Sequence, residues 1–336
     1  MATAPWTDEE SRANRVLLLS VPRSASNLLD TMLSKQPRDI SGYYNLNWSM
    51  PWLEDLNKGP FDQIPDAVRE ERSKELQANY EKLLNTIETS EKNGRKTFHK
   101  EHITLQIDPK EVFRQQYPTP GCNTVGSAGP SYVTKTPGAA QPEKHTTPFV
   151  FPDSFYLKFK PIFTIRHPAL MYPSLARAMR KGMGVDGEPG STAQMTLSWS
   201  RFMYEWYTEH KITPVLIDAD DTMNSPEAVR ELCRLSGLDP DALIFSWETR
   251  TAANKQVHAF ASTIYNSTGI VKGKDSTGLD LEAEKKKWLV EFGEAWGKDI
   301  GRKVDASMED YLWLKERSIK TTNYMTEGAR DSPTQA

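Results

Sequence analysis

Residues Leu17–Leu33 read LLLSVPRSASNLLDTML and join an apolar run to a short polar turn and a second apolar segment. The run Val16–Val21 predicts a buried β-strand, and the leucines that return at helical spacing predict a helix over Ser24–Lys35. A strand that enters a helix through a tight turn presents unpaired backbone N–H groups and the positive end of the helix dipole. Arg23 adds a guanidinium group suited to oxyanions.

The turn has two interpretations when it is taken alone. It is either an anion site, or an ordinary helix start shaped by Pro22 and capped by Ser24. It lacks the G-x-x-x-x-G-K-[ST] pattern, which counts against an ATPase or a GTPase.

Strand and helix patterns alternate along the rest of the chain, which predicts an α/β protein: three layers, with a central, mostly parallel sheet flanked by helices. Further strands are predicted at Lys96–His99, Lys160–Pro168 and Thr213–Asp221. Helices are predicted at Glu70–Thr89, Pro109–Gln116, Met171–Lys181, Thr192–His210 and Pro226–Ser236, with two or three more in Leu279–Glu316.

Composition predicts one substantial domain. The 336 residues are 38% hydrophobic, enough for a single core over residues 14–317, between a flexible N terminus at 1–13 and a disordered tail at 318–336. Pro, Gly, Ser and Thr dominate residues 117–150. We interpret that segment as a mobile flap rather than a linker, because the same alternating pattern lies on both sides of it.

Charge and cysteine usage predict a soluble, cytoplasmic protein. The net charge of −3 gives no basic field for nucleic acid or a membrane surface, so any anion site must be local. The two cysteines, Cys122 and Cys233, show no metal-ligand spacing, and no metal site is expected. No signal peptide or membrane-spanning run is visible. The oligomeric state is left open.

A second stretch, FTIRHPALMYPSLARAMRKGM at Phe163–Met183, makes the anion interpretation stronger. Arg166 ends a predicted strand, and Ser174 follows eight residues later inside the next predicted helix. Both side chains can converge on one phosphate, although such an arginine by itself is more often a partner in a surface ion pair.

Together, PRSAS and RHPALMYPS resemble the two nucleotide motifs of the P-loop sulfotransferase superfamily, which uses 3′-phosphoadenosine 5′-phosphosulfate (PAPS). The family turn has the form P-[KR]-[ST]-G-[ST], and its later strand ends in R-x-P with a serine eight residues after the arginine. The stretch PVLIDADDTMNSPEAVRELCRLSGLD is also similar to the family. The resemblance covers roughly residues 14–275 and is closest in pattern to sulfotransferase-like proteins of fungi. It implies a P-loop nucleoside-triphosphate-hydrolase-like sulfotransferase fold.

The resemblance also implies a set of cofactor-binding residues. The 5′-phosphosulfate would be held by the turn residues Arg23, Ser24, Ala25, Ser26 and Asn27. The 3′-phosphate would be held by Arg166 and Ser174. Two departures from the family stand in the turn: Ala25 replaces the usual glycine, and Asn27 stands where Ser or Thr is common. If position 25 needs a positive φ, alanine costs about 1 kcal/mol and is able to alter the cradle, whereas a near-helical residue 25 tolerates the methyl group.

The stretch TFHKEHITL at Thr97–Leu105 offers the catalytic base that such a transfer needs. His99 and His102 are both candidates, and His102 is favoured because KEH at the exit of a strand resembles the family pattern. Lys100 is expected to steady the sulfuryl oxygens and Glu101 to orient a histidine. The alternative is a pair of histidines without a catalytic role.

Two further regions complete the predicted site. Lys272, with Lys274, lies in a late glycine-containing segment that is similar to the segment closing over the nucleotide in the family, and a solvated loop explains it equally well. Tyr43, Tyr44 and Trp48 lie in an aromatic stretch with no clear period, and we assign them to the acceptor.

The sequence therefore predicts a PAPS-dependent transferase that acts on a hydroxyl or amine of a small apolar or aromatic acceptor, such as a secondary metabolite. The altered turn motivates an alternative: a protein of the same fold that catalyses cyclisation, elimination or isomerisation, or that only binds a ligand. A scaffold protein that interacts through residues 117–150 and the polar tail is the third hypothesis.

Overall fold

The structure is a computed structural model and describes residues 12–42, 46–118, 132, 134–139, 143–188 and 192–320. In these ranges five strands form one sheet in the order β2-β3-β1-β4-β5, and every neighbouring pair is parallel. The strands are β1 Arg15–Ser20, β2 Arg38–Ser41, β3 Lys96–His102, β4 Lys160–Ile165 and β5 Val215–Asp218. The predicted α/β architecture with a parallel sheet is confirmed.

Helices cover both faces of the sheet. In chain order they are α1 Ser26–Met32, α2 Leu46–Asp55, α3 Asp66–Lys92, α4 Pro109–Gln116, α5 Asp153–Tyr156, α6 Pro168–Met183, α7 Ser198–Glu209, α8 Ala219–Asn224, α9 Pro226–Ser236, α10 Lys255–Tyr265, α11 Leu281–Phe292 and α12 Glu294–Glu316. The predicted stop of α9 is confirmed, since Gly237 follows it with a left-handed φ of 70°.

Strand alternation divides the core into two clusters. Val16 and Leu18 of β1 pack with α1 and α9 on one face, and Leu17 and Leu19 pack with α3, α6, α7 and α12 on the other. All residues of β1 and β4 are buried, as expected for inner strands of a sheet covered on both sides.

Two elements differ from the sequence-based prediction. β3 continues past the predicted end at His99 to His102, because the charged residues Lys100 and Glu101 are buried opposite Leu18 and Leu19 of β1. Charges in a strand hide its apolar pattern. The aromatic stretch that showed no period forms α2, which buries Trp48 and Trp52.

The C-terminal part of the 117–150 segment is attached to the body of the protein. Phe149 and Val150 are fully buried, and Phe149 forms an antiparallel bridge with Ile107. The Val150 N–H donates to the Gln106 carbonyl at 2.9 Å. Residues 119–131, in the middle of the predicted flap, lie outside the described residues, as do 1–11 and 321–336. The flap and the domain boundaries stay predictions.

Candidate active site

The central strands of the sheet end side by side. Ser20, the last residue of β1, lies opposite His102 of β3 on one side and Thr164 of β4 on the other. In open α/β sheets, ligands bind outside the carboxyl ends of the strands. The segments that follow β1, β3 and β4 therefore meet at this carboxyl end of the sheet, which we call the edge.

The turn after β1 has an unusual backbone for its sequence. Arg23 has a φ of 74° and Ala25 a φ of 63°, so two residues with side chains adopt the left-handed region. Between them, the buried Ser24 hydroxyl donates to the Val21 carbonyl at 2.7 Å and lies 2.8 Å from Thr164 Oγ1. Thr164 of β4 thus contacts the turn and stabilises its position.

Ala25 answers the question raised by the missing glycine. Its φ is positive, so the conformation that glycine would adopt freely is present with alanine. The alanine side chain packs against the core cluster under α1 and α9. Ala25 is the cap of α1, whose first intrahelical bond joins Leu28 N–H to the Ala25 carbonyl at 2.9 Å. The amides of Ser26 and Asn27 precede that bond.

The two predicted phosphate motifs meet at this edge. Arg23 Nε–H donates to Ser174 Oγ at 3.0 Å, across 151 residues of sequence. Arg166 Nη1–H donates to the Arg23 carbonyl at 3.1 Å. Burial lowers the pKa of Arg166, while the neighbouring carboxylates Asp220 and Asp218 oppose that shift. A guanidinium keeps its charge at neutral pH, so the edge carries two adjacent cations.

Two later segments border the same edge. α10 packs against α1 and α6, and its Phe260 carbonyl accepts a hydrogen bond from Arg23 Nη1. The Lys274 carbonyl accepts from Arg166 Nη2 at 2.6 Å. The side chain of Lys272 is exposed on that segment. Neither carbonyl was part of the predicted site.

His102 lies at the end of β3 and contacts Ser20. His102 Nδ1 is 2.9 Å from Ser20 Oγ, and its backbone N–H donates to Glu101 Oε1 at 2.8 Å. Burial, followed by the charges of Lys100 and Arg23, lowers the pKa of His102 to about 3. The imidazole is therefore neutral at pH 7 and is able to accept a proton.

Lys100 extends from β3 toward α1. Its Nζ donates to Asn27 Oδ1 at 2.6 Å and lies 3.5 Å from Asp30 Oδ2. Burial lowers the pKa of Lys100, and the charge of Asp30 opposes that shift. Lys100 thus brings a cation to the first turn of α1.

His99 lies away from this group. Because side chains alternate along a strand, it faces the opposite side of the sheet, edge-on to the Phe159 ring with 5.8 Å between centroids. Burial lowers the pKa of His99 to about 4. His102 therefore contacts Ser20 at the carboxyl end of β1, and His99 lies inside β3.

The predicted acceptor residues are described only in part. Tyr43 and Tyr44 lie outside the described residues. Trp48 is buried, donates from Nε1 to the Arg72 carbonyl at 2.7 Å, and packs edge-on to Trp52 and Tyr132. The cavity that it lines with Trp52 and others has a volume of about 20 Å³, room for one water molecule. The roles of these residues stay predictions.

Ser20, Thr164 and Asp220 are further residues of this region that the sequence analysis did not predict as part of the site. A signal for Ser20 was present, since it is the polar residue at the end of an apolar strand, directly before the turn. Within the described ranges no group of three or more His, Cys, Asp or Glu could hold a metal ion. None of the helices described there is long and apolar enough to cross a membrane.

Comparison with known proteins identifies the family. No protein-family model matches the sequence. Sulfotransferase ppzF of Metarhizium rileyi (strain RCEF 4871) is 31% identical over an alignment length of 337, and the alignment covers 92% of this chain and 97% of that protein. Sulfotransferase ppzF of Metarhizium majus (strain ARSEF 297) is 30% identical over an alignment length of 335, and the alignment covers 91% of this chain and 97% of that protein. Since the similarity extends over nearly the full length of both relatives, the chain belongs to the sulfotransferase-like family, as its two anion motifs predicted.

Proposed function

We propose that this protein transfers a sulfuryl group from PAPS to a hydroxyl or amine of a small apolar or aromatic acceptor. One observation carries the proposal: Arg23 joins the two motifs, with Nε 3.0 Å from Ser174 Oγ and its carbonyl 3.1 Å from Arg166 Nη1, at the edge where His102 ends β3. The names of the two relatives support sulfuryl transfer.

The donor groups at the edge fit a ligand with two separated anionic groups. One set surrounds the turn: the amides of Ser26 and Asn27, with the Lys100 ammonium beside them. The other set is Arg166 with Ser174. Charged N–H donors of this kind are the strong ligands for phosphate oxygens. PAPS carries a 5′-phosphosulfate and a 3′-phosphate, and when bound it supplies an activated sulfuryl group.

His102 is the group that removes the proton from the acceptor. Ser20 Oγ has one proton, which we assign to the hydrogen bond with the Glu101 carbonyl at 3.3 Å. Toward His102 the same oxygen then accepts, so Nδ1 carries the ring proton and Nε2 carries the lone pair. Nε2 is therefore the basic atom.

The low pKa of His102 is suited to a site that receives an anion. Lys100 and Arg23 disfavour the imidazolium in the absence of negative charge. A bound polyanion offsets these cations and raises the pKa of His102, so the ring holds a proton more readily once the donor is in place. The same cations stabilise the charge that develops on the leaving phosphate.

Ala25 gives no reason to prefer a non-sulfating reaction. That alternative rested on the missing glycine, and Ala25 adopts the left-handed backbone with its methyl group against the core cluster. The sulfuryl transfer is therefore the better-supported reaction for this turn.

Calorimetry with 3′-phosphoadenosine 5′-phosphate tests the proposal. We expect the native protein to bind it, and Arg166→Ala to weaken binding by about 10- to 100-fold through the loss of charge-assisted hydrogen bonds. Arg177→Ala is the matched control, because Arg177 lies on the same helix as Ser174 and pairs with Glu291 at 2.6 Å. Absence of binding at millimolar nucleotide, or of sulfate transfer to any of a panel of phenols, alcohols and amines, would overturn the proposal.

A further inference from the structure

The segment Val271–Gly278, which reads VKGKDSTG, is fastened to the start of α8. Asp220, in the first turn of that helix, accepts two hydrogen bonds from Ser276. Its Oδ1 accepts from the Ser276 backbone N–H at 3.1 Å, and its Oδ2 accepts from the Ser276 hydroxyl. One carboxylate thus holds both the backbone and the side chain of a residue 56 positions further along the chain.

A further contact stiffens the same segment. Asp275 Oδ1 accepts from the Thr277 N–H at 3.0 Å. Gly273 has a φ of 71°, a left-handed turn that lies between Lys272 and Lys274. The segment is therefore a short, tied loop that presents two lysines.

This loop meets the anion edge at Arg166. Arg166 donates from Nη1 to the Arg23 carbonyl at 3.1 Å and from Nη2 to the Lys274 carbonyl at 2.6 Å. Its guanidinium thereby links the turn after β1 to the loop. The position of Arg166 depends on where Lys274 lies, and the position of Lys274 depends on Ser276, two residues away.

The charge of Asp220 is compensated within its own surroundings. Besides the two donors of Ser276, Lys315 Nζ lies 4.0 Å from Asp220 Oδ2 and 3.9 Å from Asp218 Oδ2. A carboxylate this close to an anion site would otherwise repel the ligand. The hydrogen bonds from Ser276 and the positive charge of Lys315 offset the negative charge of Asp220. Asp220 is therefore able to hold the loop without strongly repelling an anion at Arg166.

We propose that Asp220 is a positioning residue for the donor nucleotide: through Ser276 it fixes Val271–Gly278 against Arg166 and sets Lys272 and Lys274 beside the 3′-phosphate. The inference rests on the proposed function, since it concerns how that site holds its nucleotide. Asp220 itself does not touch the ligand and acts through Ser276 and Lys274.

Asp220→Ala tests this inference against Asp221→Ala. Both changes remove one negative charge from the first turn of α8, and only Asp220 bonds to Ser276. A second pair of variants tests the same contact at its other partner, Ser276. Ser276→Ala removes the hydroxyl that donates to Asp220, and Ser276→Thr keeps it. Each full-length variant is checked by thermal unfolding, then by amide hydrogen exchange of residues 271–278 without ligand and by calorimetry with 3′-phosphoadenosine 5′-phosphate.

We expect Asp220→Ala and Ser276→Ala to speed exchange in 271–278 and to weaken nucleotide binding about tenfold, the effect of losing a hydrogen bond to a charged group. KM for the donor should rise with kcat nearly unchanged, and Ser276→Thr should restore both readouts. Asp221→Ala should match the native protein in exchange and affinity.

Two results overturn the inference. The first is unchanged exchange in 271–278 for Asp220→Ala. The second is faster exchange with unchanged nucleotide affinity, which would make Asp220 a purely structural tie. If the native protein binds no nucleotide at all, the proposed function has failed, and faster exchange in Asp220→Ala but not in Asp221→Ala still establishes the tie to Ser276 by itself.

Discussion

The middle of β3 and its C-terminal end each carry a histidine, and the two are three residues apart in opposite surroundings. His99 lies inside the strand and packs edge-on to the Phe159 ring. His102 closes the strand and contacts Ser20 Oγ at 2.9 Å. Burial is the largest cause of a lowered pKa for both, to about 4 for His99 and about 3 for His102.

The second cause of each shift separates the two histidines. For His99 it is Arg15, a residue that is paired with Glu91 at the far end of β1. For His102 the charges that lower the pKa are Lys100, beside the first turn of α1, and Arg23, in the turn after β1. If the proposed anion binds there, we expect it to change the field at His102 more than the field at His99. A perturbed pKa therefore points to function only when its cause is a group that the ligand also meets.

Replacing His102 should have the largest effect. We expect His102→Asn to lower kcat by about 10²- to 10⁴-fold, the usual contribution of a positioned base, while nucleotide affinity stays within about threefold. Steady-state transfer assays and calorimetry measure the two quantities. His99→Asn, scored in the same assays on folded protein, is the matched comparison. A variant His102→Asn that keeps more than a tenth of native turnover would end the assignment of the base.

His99 should contribute to the loss of stability in acid, as His102 should, because the folded pKa of each ring lies below the ordinary value. The folded pKa of His99, about 4, lies below the ordinary 6.5, so the neutral ring favours the native state above pH 6.5. That stability is lost as the pH falls from 6.5 toward 4, because the unfolded chain binds the proton first. The loss amounts to at most about 3 kcal/mol. Urea unfolding of His99→Leu at pH 7, 5.5 and 4.5 should show a flatter pH dependence than the native protein.

The control for His99 is His210→Leu, since His210 is exposed at the end of α7. It shows how the removal of an exposed histidine changes the pH dependence of unfolding, for comparison with the removal of the buried His99. If the free energy of unfolding depends on pH with the same slope in the native protein and in His99→Leu, His99 is solvated in solution. The comparison with His102 would then no longer hold for His99.

Ser20 sharpens the comparison, because it distinguishes the end of β3 from its middle. Ser20→Ala should lower kcat about tenfold through the loss of one hydrogen bond, with KM for the donor unchanged. Ser20→Thr should retain most of the turnover, since it keeps the hydroxyl. The ring ¹⁵N shifts of His102 report the tautomer directly: protonated Nδ1 is expected in the native protein, and protonated Nε2 would contradict the orientation derived from the Glu101 carbonyl.

Short sequence patterns could predict the strands, turn and arginine around this site, but not the contacts between residues that are distant in sequence. β1, its turn and Arg166 follow from an apolar run, a helix spacing and a strand-end arginine, which all lie within short windows. The end of β3 could not be predicted, because Lys100 is buried in contact with residues about 70 positions away, among them Asn27 and Asp30. The link from Asp220 to Ser276 likewise joins two polar stretches without any periodic signal.

Substitutions of Ala25, in the turn after β1, should have the smallest effect. In Ala25→Gly, relief of the left-handed alanine gains roughly 1 kcal/mol. The added freedom of the unfolded chain returns about half of it, so we expect a net gain in the free energy of unfolding near 0.5 kcal/mol. Nucleotide affinity should not change, because the methyl group packs against the core cluster.

Ala25→Val is the opposite test of the same position. A β-branched residue is strongly disfavoured at a φ of 63°, so unfolding should become easier by about 1–2 kcal/mol. Chemical denaturation and calorimetry with 3′-phosphoadenosine 5′-phosphate measure both variants. A tenfold gain in affinity for Ala25→Gly without a change in stability would place the methyl group in the path of the anion. The end of β3 would then face a narrowed turn, and the non-sulfating alternative would regain its support.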